Sequence, residues 1–280
     1  MSDNGLKEFI RRAIEEDTGT GDHSSLASIP ADASGRVKLI IKDTGIIAGI
    51  AAAREVFHQT DPSLMIKILV NDGERVEYGM TALTAEGNER SLLRAERLVL
   101  NIMQRMSGIA TATAIYVSKV AGTKAKITDT RKTTPGMRFL EKEAVRLGGG
   151  VNHRMGLYDM IMLKDNHIDF AGGITRAITG TREYLKKNDL SLKIEVEARN
   201  LEEVAEILAA GGVDRIMLDN FSVPLTREGV RMINGAAEVE SSGGITLANV
   251  RDYAMCGVDF ISVGALTHHI SSLDLSLKAF

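Results

Sequence analysis

Positively charged residues concentrate in one segment of the chain, where they could bind a small anion. Residues 124–164 contain nine lysines and arginines against four acids, although the whole chain has a net charge of -3. Arg131 and Lys132 follow one apolar run of this segment, and Lys164 follows another. Arg154 lies between them. Arginine presents parallel N–H groups that match a carboxylate, and a local excess of cations attracts anions. We therefore expect this segment to hold carboxylates or phosphates of a substrate.

Two acidic residues and two glycine-containing turns could bind a metal ion and a phosphate. Glu197 and Asp219 each end a strand-like run. They could hold Mg²⁺ on a pyrophosphate, because Mg²⁺ prefers oxygen ligands and takes few carboxylates from the protein. Ser242-Gly243-Gly244 and Gly264-Ala265 follow the last two such runs, and free backbone N–H groups in such turns bind phosphate. The sequence contains no Walker A pattern, cysteine cluster or His-x-x-x-His pair.

Six strand-like runs alternate with helical patterns in the second half of the chain and would bring these residues together. The strands are predicted at 125–130, 159–163, 193–197, 215–219, 237–240 and 259–263, and the helices at 138–147, 173–187, 201–210, 225–233 and 246–256. Strands joined by helices run parallel, and their C-terminal ends share one rim. An eight-stranded barrel needs about 250 residues, and only about 160 remain here. We therefore predict an α/β fold with an open, incomplete (β/α) barrel of about six parallel strands.

The first part of the chain mixes strands and helices without a regular order, which indicates an α+β arrangement. The predicted elements are helices at 6–16, 51–59 and 89–106, a second helix from Gly108 to residue 120 with Gly108 as the interruption, a polar loop at 15–25, and strands at 37–41, 45–50 and 65–70. We place an N-terminal domain at 1–110, which can include part of the C-terminal tail. The barrel domain takes 111–280.

Composition limits the class of protein and its location. The chain has 280 residues, of which 44% are hydrophobic and 25% charged, as in soluble globular proteins. A single cysteine, Cys256, excludes an intrachain disulfide. No signal-peptide pattern and no run of about 18 apolar residues is present, so we expect a cytoplasmic protein without a membrane partner. The net charge gives no indication of a nucleic-acid partner.

Several motifs together closely resemble one enzyme family. They are Thr-Arg-Lys-Thr-Thr-Pro-Gly at 130–136, Gly-Gly-Gly-Val-Asn-His-Arg-Met-Gly-Leu at 148–157, Leu-Lys-Asp-Asn-His at 163–167, Glu-Val-Glu at 195–197, Leu-Asp-Asn-Phe at 218–221, Ser-Gly-Gly-Ile-Thr at 242–246 and Ser-Val-Gly-Ala-Leu-Thr at 262–267. Gly-Asp-His-Ser-Ser at 21–25 and Gln-Arg-Met-Ser-Gly-Ile-Ala-Thr at 104–111 continue the pattern. The family is quinolinate phosphoribosyltransferase (nicotinate-nucleotide pyrophosphorylase, carboxylating), and the resemblance covers essentially the whole chain.

The resemblance implies a fold, a reaction and roles for individual residues. The fold would be an N-terminal α/β sandwich domain on an open α/β barrel. The reaction would transfer phosphoribosyl from phosphoribosyl pyrophosphate to quinolinate with loss of carbon dioxide. A homodimer is implied, with Arg105 reaching the partner's quinolinate, and whether dimers assemble further stays open. The substrate pocket would be lined by Thr130, Arg131, Lys132, Thr133, His153, Arg154 and Lys164.

The same resemblance assigns catalysis, metal and phosphate binding. Glu197 and Asp219 would contact the ribose hydroxyls and Mg²⁺. The catalytic residues would be Lys132, Lys164, Glu197 and Asp219. The 5′-phosphate would be bound by Ser242, Gly243, Gly244, Gly264 and Ala265.

Two other functions remain open on the residues alone. An aldolase or isomerase of phosphorylated sugars would need a Schiff-base lysine, and Lys164 is a candidate for that role. A non-catalytic protein that binds phosphoribosyl anions would use the same cations and turns, but it would have little need of the acid pair Glu197 and Asp219.

Overall fold

The computed structural model describes residues 3–280, with side chains from residue 5 onward, and it divides the chain into two compact units. Within the described residues, unit 1 comprises residues 3–114, 134–149 and 267–280, and unit 2 comprises residues 115–133 and 150–266. The elements in chain order are α1 (Asp3–Thr18), α2 (His23–Ser28), β1 (Ser34–Ile41), β2 (Gly45–Ile46), α3 (Ile50–Thr60), β3 (Met65–Ile68), β4 (Arg75–Val76), β5 (Thr81–Asn88), α4 (Glu89–Lys119), β6 (Lys126–Thr128), α5 (Arg138–Leu147), β7 (Ile161–Leu163), α6 (Asp165–Ala171), α7 (Ile174–Lys187), β8 (Ile194–Ala198), α8 (Leu201–Ala210), β9 (Arg215–Asp219), α9 (Val223–Ile233), β10 (Glu238–Ser242), α10 (Val250–Ala254), β11 (Phe260–Ser262), α11 (Ala265–His268) and β12 (Leu275–Ala279).

Unit 1 is built on an antiparallel sheet with strand order β12-β1-β5-β3. The alternation of Val37, Leu39 and Ile41 predicts a half-buried strand, and all three side chains are buried in β1. The C-terminal tail supplies β12, whose Leu277 pairs with Leu39. Unit 1 thus combines the N-terminal part of the chain with its last residues and with α5.

Helix α4 runs without a break through Gly108, so the predicted interruption there is wrong. A glycine in a helix costs only about 1 kcal/mol relative to alanine, which a long, packed helix tolerates. The glycine serves packing: a Cβ at position 108 would overlap with the carbonyl oxygen of Ser271 and lie 3.0 Å from the Cα of Ser272. The tail therefore passes directly against the helix backbone.

The polar stretch at 15–25 is also not the continuous loop that its composition predicts. Helix α1 extends to Thr18, and α2 begins at His23. Asp22 ends the short connection as the N-cap of α2, where its carboxylate accepts a hydrogen bond from the backbone N–H of Ser25 at 3.1 Å. A capped short helix and a polar loop share the same residue types, so composition alone could not distinguish the two structures.

Unit 2 confirms the predicted parallel sheet of six strands, in the order β6-β11-β10-β9-β8-β7. The edge strands β6 and β7 share no ladder within the described residues, so the barrel is open. Beyond β6, residue Thr128 makes one further parallel bridge to Val151. The strands β8 and β9 and the helices α7 and α8 lie within a residue of their predicted bounds.

Unit 2 differs from the predictions in detail. Helix α6 (Asp165–Ala171) starts directly after Lys164, in a stretch to which the sequence analysis assigned no element. Strand β10 extends to Ser242, two residues past the predicted end at 240. The helix predicted at 246–256 is shorter, because a turn at 246–249 precedes α10.

Candidate active site

Lys164 and Glu197 form an ion pair at the C-terminal ends of β7 and β8. The Lys164 Nζ atom donates to the Glu197 Oε2 atom at 3.0 Å. The Glu197 side chain is 8% exposed, whereas that of Lys164 is 45% exposed. The backbone of Lys164 is fixed as the N-cap of α6, because its N–H donates to the His167 Nδ1 atom at 3.1 Å. The ammonium group is thus held at the rim but is accessible to a ligand.

Asp219 and Ser242 end neighbouring strands at the same level of the sheet, since the ladder pairs them directly. The Asp219 carboxylate accepts a hydrogen bond from the Asn220 side-chain amide at 2.6 Å. Residues two apart on a strand face the same side, and Glu197 pairs with Met217, so Asp219 and Glu197 lie on one face. The two acids are therefore the oxygen donors that this rim offers to a cation.

The turn after β10 requires glycine at position 243. Gly243 has φ +87°, a left-handed conformation that residues with a Cβ rarely adopt. A Cβ there would overlap with the Asn220 side chain and lie 2.9 Å from the Asn220 backbone nitrogen. Gly244 also has positive φ, at +62°, with open space around it. After β11, helix α11 begins at Ala265, directly behind Gly264. The predicted phosphate residues thus stand at the ends of adjacent strands β10 and β11.

Arg154 is a buried cation without an ion pair in the part of the chain described. It is 9% exposed, and its guanidinium donates to the backbone carbonyl of Met160 at 3.2 Å. Burial lowers the pKa of Arg154, and the positive charge of Arg131 lowers it further. Two guanidinium groups that repel each other in a partly dry site are stabilised when an anion binds between them.

The segment after β6 carries the other predicted cations on an exposed turn. Arg131 and Lys132 are exposed, and the turn is closed by a hydrogen bond from the Lys132 N–H to the Thr130 hydroxyl at 3.0 Å. The Thr133 N–H donates to the Arg131 carbonyl at 2.9 Å. Unit 2 therefore brings all of the predicted site residues except Arg105 onto one sheet and the loops at its strand ends.

His153 is buried among carboxylates, at the centre of a cluster that the sequence did not reveal. Its Nε2 atom lies 3.0 Å from Glu195 and 3.4 Å from Glu240. Burial on its own lowers the pKa of His153, but the two carboxylates outweigh it and raise the pKa to about 9. Arg215 pairs with Glu240 at 2.9 Å. Both ring nitrogens of His153 face protein atoms, since the Arg154 backbone N–H donates to the Nδ1 atom at 2.7 Å.

The spacing Glu-x-Glu contained the signal for this cluster. Glu195 and Glu197 are two residues apart, as are Glu238 and Glu240, so each pair faces one side of its strand. An alternating acidic strand within a parallel sheet, which is normally covered on both faces, predicts buried carboxylates with partners.

Arg105 belongs to unit 1, where a buried acid fixes its side chain. Its guanidinium pairs with Glu141 at 2.6 Å, and the Glu141 side chain is completely buried. It also donates to the Thr134 hydroxyl at 2.8 Å and to the Thr267 carbonyl at 3.1 Å. The Arg105 side chain is 28% exposed.

The open parallel sheet with charged residues and glycine turns at its strand ends is typical of an α/β-barrel enzyme. The family models described as "Quinolinate phosphoribosyl transferase", C-terminal and N-terminal domains, match residues 109–278 and 22–107. The chain belongs to the quinolinate phosphoribosyltransferase family, as its motifs predicted.

Relatives and solved structures agree with this assignment. The chain is 46% identical to "Quinolinate phosphoribosyltransferase [decarboxylating] 2b, mitochondrial" of Nicotiana tabacum, over 98% of this chain and 82% of the relative. It is 42% identical to a probable nicotinate-nucleotide pyrophosphorylase [carboxylating] of Synechocystis, over 98% and 92%. The structure of NadC from Streptococcus pyogenes superposes with a TM-score of 0.94 at 37% identity, covering 100% of this chain and 99% of that one. The predicted fold class is confirmed.

Proposed function

We propose that this chain transfers the phosphoribosyl group of phosphoribosyl pyrophosphate to quinolinate and releases carbon dioxide, giving nicotinate mononucleotide and pyrophosphate for de novo NAD biosynthesis. The observation that carries the proposal is the buried Arg154 beside Arg131, without a carboxylate paired to it in the described residues. Quinolinate has carboxylates at ring positions 2 and 3, and such a dianion would pair directly with guanidinium groups, whereas Glu195 and Asp159 act on Arg154 without forming an ion pair.

In the first stage, the cations position the ring. Arg131, Lys132 and Arg154 hold the two carboxylates, so that the ring nitrogen faces C1 of the ribose. The nitrogen lone pair forms the bond to C1 as the bond from C1 to the pyrophosphate oxygen breaks. Positive charge develops on the sugar, and the Glu197 carboxylate on the same rim is placed to stabilise it. Most of the rate enhancement then comes from orientation and fixed charge, without a covalent enzyme intermediate.

Glu197 and Asp219 fit Mg²⁺ that enters with phosphoribosyl pyrophosphate. They are oxygen donors on one face of the sheet, and Mg²⁺ typically takes only one or two carboxylates beside substrate phosphates. When bound, the ion neutralises charge on the departing pyrophosphate. Lys164 stays next to Glu197 and adds a second positive charge at the same place.

In the second stage, the alkylated ring loses carbon dioxide. The bond between C2 and its carboxylate breaks, and the electron pair remains at C2, next to the positively charged ring nitrogen. A proton then adds at C2 to complete nicotinate mononucleotide. Arg154 lies in a nearly dry environment, and loss of hydration around the carboxylate favours this step.

The 5′-phosphate is assigned to the turns that follow β10 and β11. Ser242, Gly243 and Gly244 end one strand, and Gly264 and Ala265 follow the next. Gly243 and Gly244 have positive φ and leave the backbone of the turn without side chains, as in phosphate-binding turns.

A homodimer in which Arg105 completes the partner's site is part of the proposal. Arg105 is held by a fully buried acid and has exposed surface left, as a residue that contacts a ligand requires. A cytoplasmic location also stays a prediction, and the name of the tobacco relative 2b places that protein in mitochondria. Within the described residues, no helix has both the length and the hydrophobicity to span a membrane.

The aldolase alternative finds no support in the site. A Schiff base needs an amine with a free lone pair, whereas Lys164 is paired with Glu197 at 3.0 Å. Borohydride with substrate should therefore trap no adduct.

The proposal is tested by release of pyrophosphate from purified protein. Release should require quinolinate, phosphoribosyl pyrophosphate and Mg²⁺ together, and nicotinate should not replace quinolinate. Release without quinolinate, or none with all three present and the protein folded, would overturn it.

A further inference from the structure

The buried cluster around His153 joins three strands of the barrel. Glu195 on β8 and Glu240 on β10 both lie within ion-pair distance of the His153 Nε2 atom, at 3.0 and 3.4 Å. Arg215 on β9 pairs with Glu240 at 2.9 Å. Both glutamates are completely buried. The cluster therefore forms a second layer of charge, one strand repeat below the rim acid Glu197.

This cluster is tied directly to the rim through the chain segment of His153 and Arg154. The His153 backbone N–H donates to the Asp129 carboxylate at 2.9 Å, directly after β6. The Arg154 backbone N–H donates to the His153 Nδ1 atom at 2.7 Å. Arg154 lies in a segment without helix or strand. The contacts of the preceding residue, His153, therefore fix the backbone of Arg154.

Stability alone is a poor explanation for such a cluster. Two buried carboxylates and their partners lose hydration, and apolar residues of similar size are often as stable or more so. The three ligand atoms of His153, Glu195 and Glu240 lie close enough together to hold a metal ion. Arg215 already supplies positive charge to Glu240, which makes a cation there unnecessary.

We propose that Glu195 and Glu240 are positioning residues that orient His153 and thereby hold Arg154 at the rim for a carboxylate of quinolinate. The inference rests on the proposed function. Phosphoribosyl pyrophosphate is assigned to other strand ends, so the two substrates should respond differently when the cluster is changed.

The test compares Glu195→Gln and Glu240→Gln with a matched control, Glu238→Gln. Glu238 lies on the same strand as Glu240 and shares Arg215, but its other ion pair is with Lys193. We expect the KM for quinolinate to rise about tenfold or more in both cluster variants, because small displacements of a positioning group weaken binding strongly. The KM for phosphoribosyl pyrophosphate and kcat should change less than about twofold, as should all constants of the control.

A double-mutant cycle tests whether the effect passes through His153. If it does, Glu195→Gln should add little to the loss of quinolinate binding that His153→Ala already causes. Full additivity of the two changes would contradict the proposal. If the Glu240→Gln variant does not fold, the Glu195→Gln variant provides the test, because that change leaves the ion pair between Arg215 and Glu240 intact.

The outcomes separate the inference from the function on which it rests. Unchanged quinolinate KM in folded Glu195→Gln, or an equal rise for both substrates, would overturn the inference alone. Wild-type protein that does not convert quinolinate would overturn both.

Discussion

At the scale of single residues, the cations of the candidate site differ in how the protein pairs them. Lys164 has Glu197 beside it, and Arg105 has Glu141. Arg154 is different, because it is buried and its only hydrogen bond from the guanidinium among the described residues goes to a backbone carbonyl. A residue of this kind indicates a ligand more directly than an exposed cation does.

Replacing Arg154 should therefore weaken quinolinate binding specifically. Lysine keeps the charge of Arg154 but loses the fork geometry, so Arg154→Lys should raise the KM for quinolinate by about 10- to 100-fold, as expected for a lost charge-assisted hydrogen bond. Steady-state kinetics with each substrate varied in turn measures this. Arg146→Lys is the control, because Arg146 is an exposed member of the same basic segment and pairs with Glu143. Equal effects at both positions would mean that general charge, not the site, is responsible.

His153 should make stability depend on pH. Its pKa in the folded protein is about 9, against 6.5 for a free histidine, so the proton is bound more tightly when folded. This stabilisation is complete below about pH 6.5 and is lost as the pH rises toward 9. It amounts to about 3.4 kcal/mol at most, because a protonated ring loses the hydrogen bond that Nδ1 accepts from the Arg154 N–H. Urea unfolding between pH 6 and 9.5 measures it. His153→Gln should remove this part of the pH dependence, and an unchanged profile would be evidence against a charged His153.

At the scale of elements, local sequence patterns predicted the barrel strands because each is a short apolar run before polar or glycine residues. The same patterns could not show β12, since that strand exists only through its pairing with β1, far away in sequence. They also misjudged Gly108, whose small size serves contact with the tail instead of ending the helix. Long-range contacts decided both cases.

The strand β12 should contribute measurably to the stability of unit 1. Leu277 is 5% exposed and pairs with Leu39, so Leu277→Ala should lower the free energy of unfolding by about 2–5 kcal/mol. Thermal or urea unfolding gives the value. Lys278 is exposed on the same strand and serves as the control. Lys278→Ala should change the free energy of unfolding by less than about 0.5 kcal/mol. A loss below about 1 kcal/mol for Leu277→Ala would mean that the tail is not packed as described.

At the scale of the whole molecule, the chain folds into two units that each draw on separate stretches of sequence. The boundary predicted between residues 110 and 111 falls inside α4. The matched family domains meet near the same place, at 107 and 109. The roles of the site residues stay predictions from the family motifs. The Glu-x-Glu spacing could indicate buried carboxylates, but it could not show that Glu195 and Glu240 meet at His153.

The proposed dimer predicts that two inactive variants can restore each other. Arg105→Ala removes the group given to the partner, and Arg131→Ala damages the barrel site of its own chain. A mixed dimer would contain one intact site, so unfolding and refolding the two together should recover activity that neither has alone. No recovery, with mixed dimers demonstrated by two affinity tags, would contradict a shared site.

The proposed reaction removes one particular carboxylate of quinolinate, the one at ring position 2. Quinolinate labelled with carbon-13 at either the 2-carboxyl or the 3-carboxyl group should be incubated with the protein, phosphoribosyl pyrophosphate and Mg²⁺. We predict that the 2-carboxyl label appears as carbon dioxide in step with pyrophosphate, and that the 3-carboxyl label stays in nicotinate mononucleotide. Retention of both labels in a phosphoribosylated product, or no reaction by folded protein, would contradict the account.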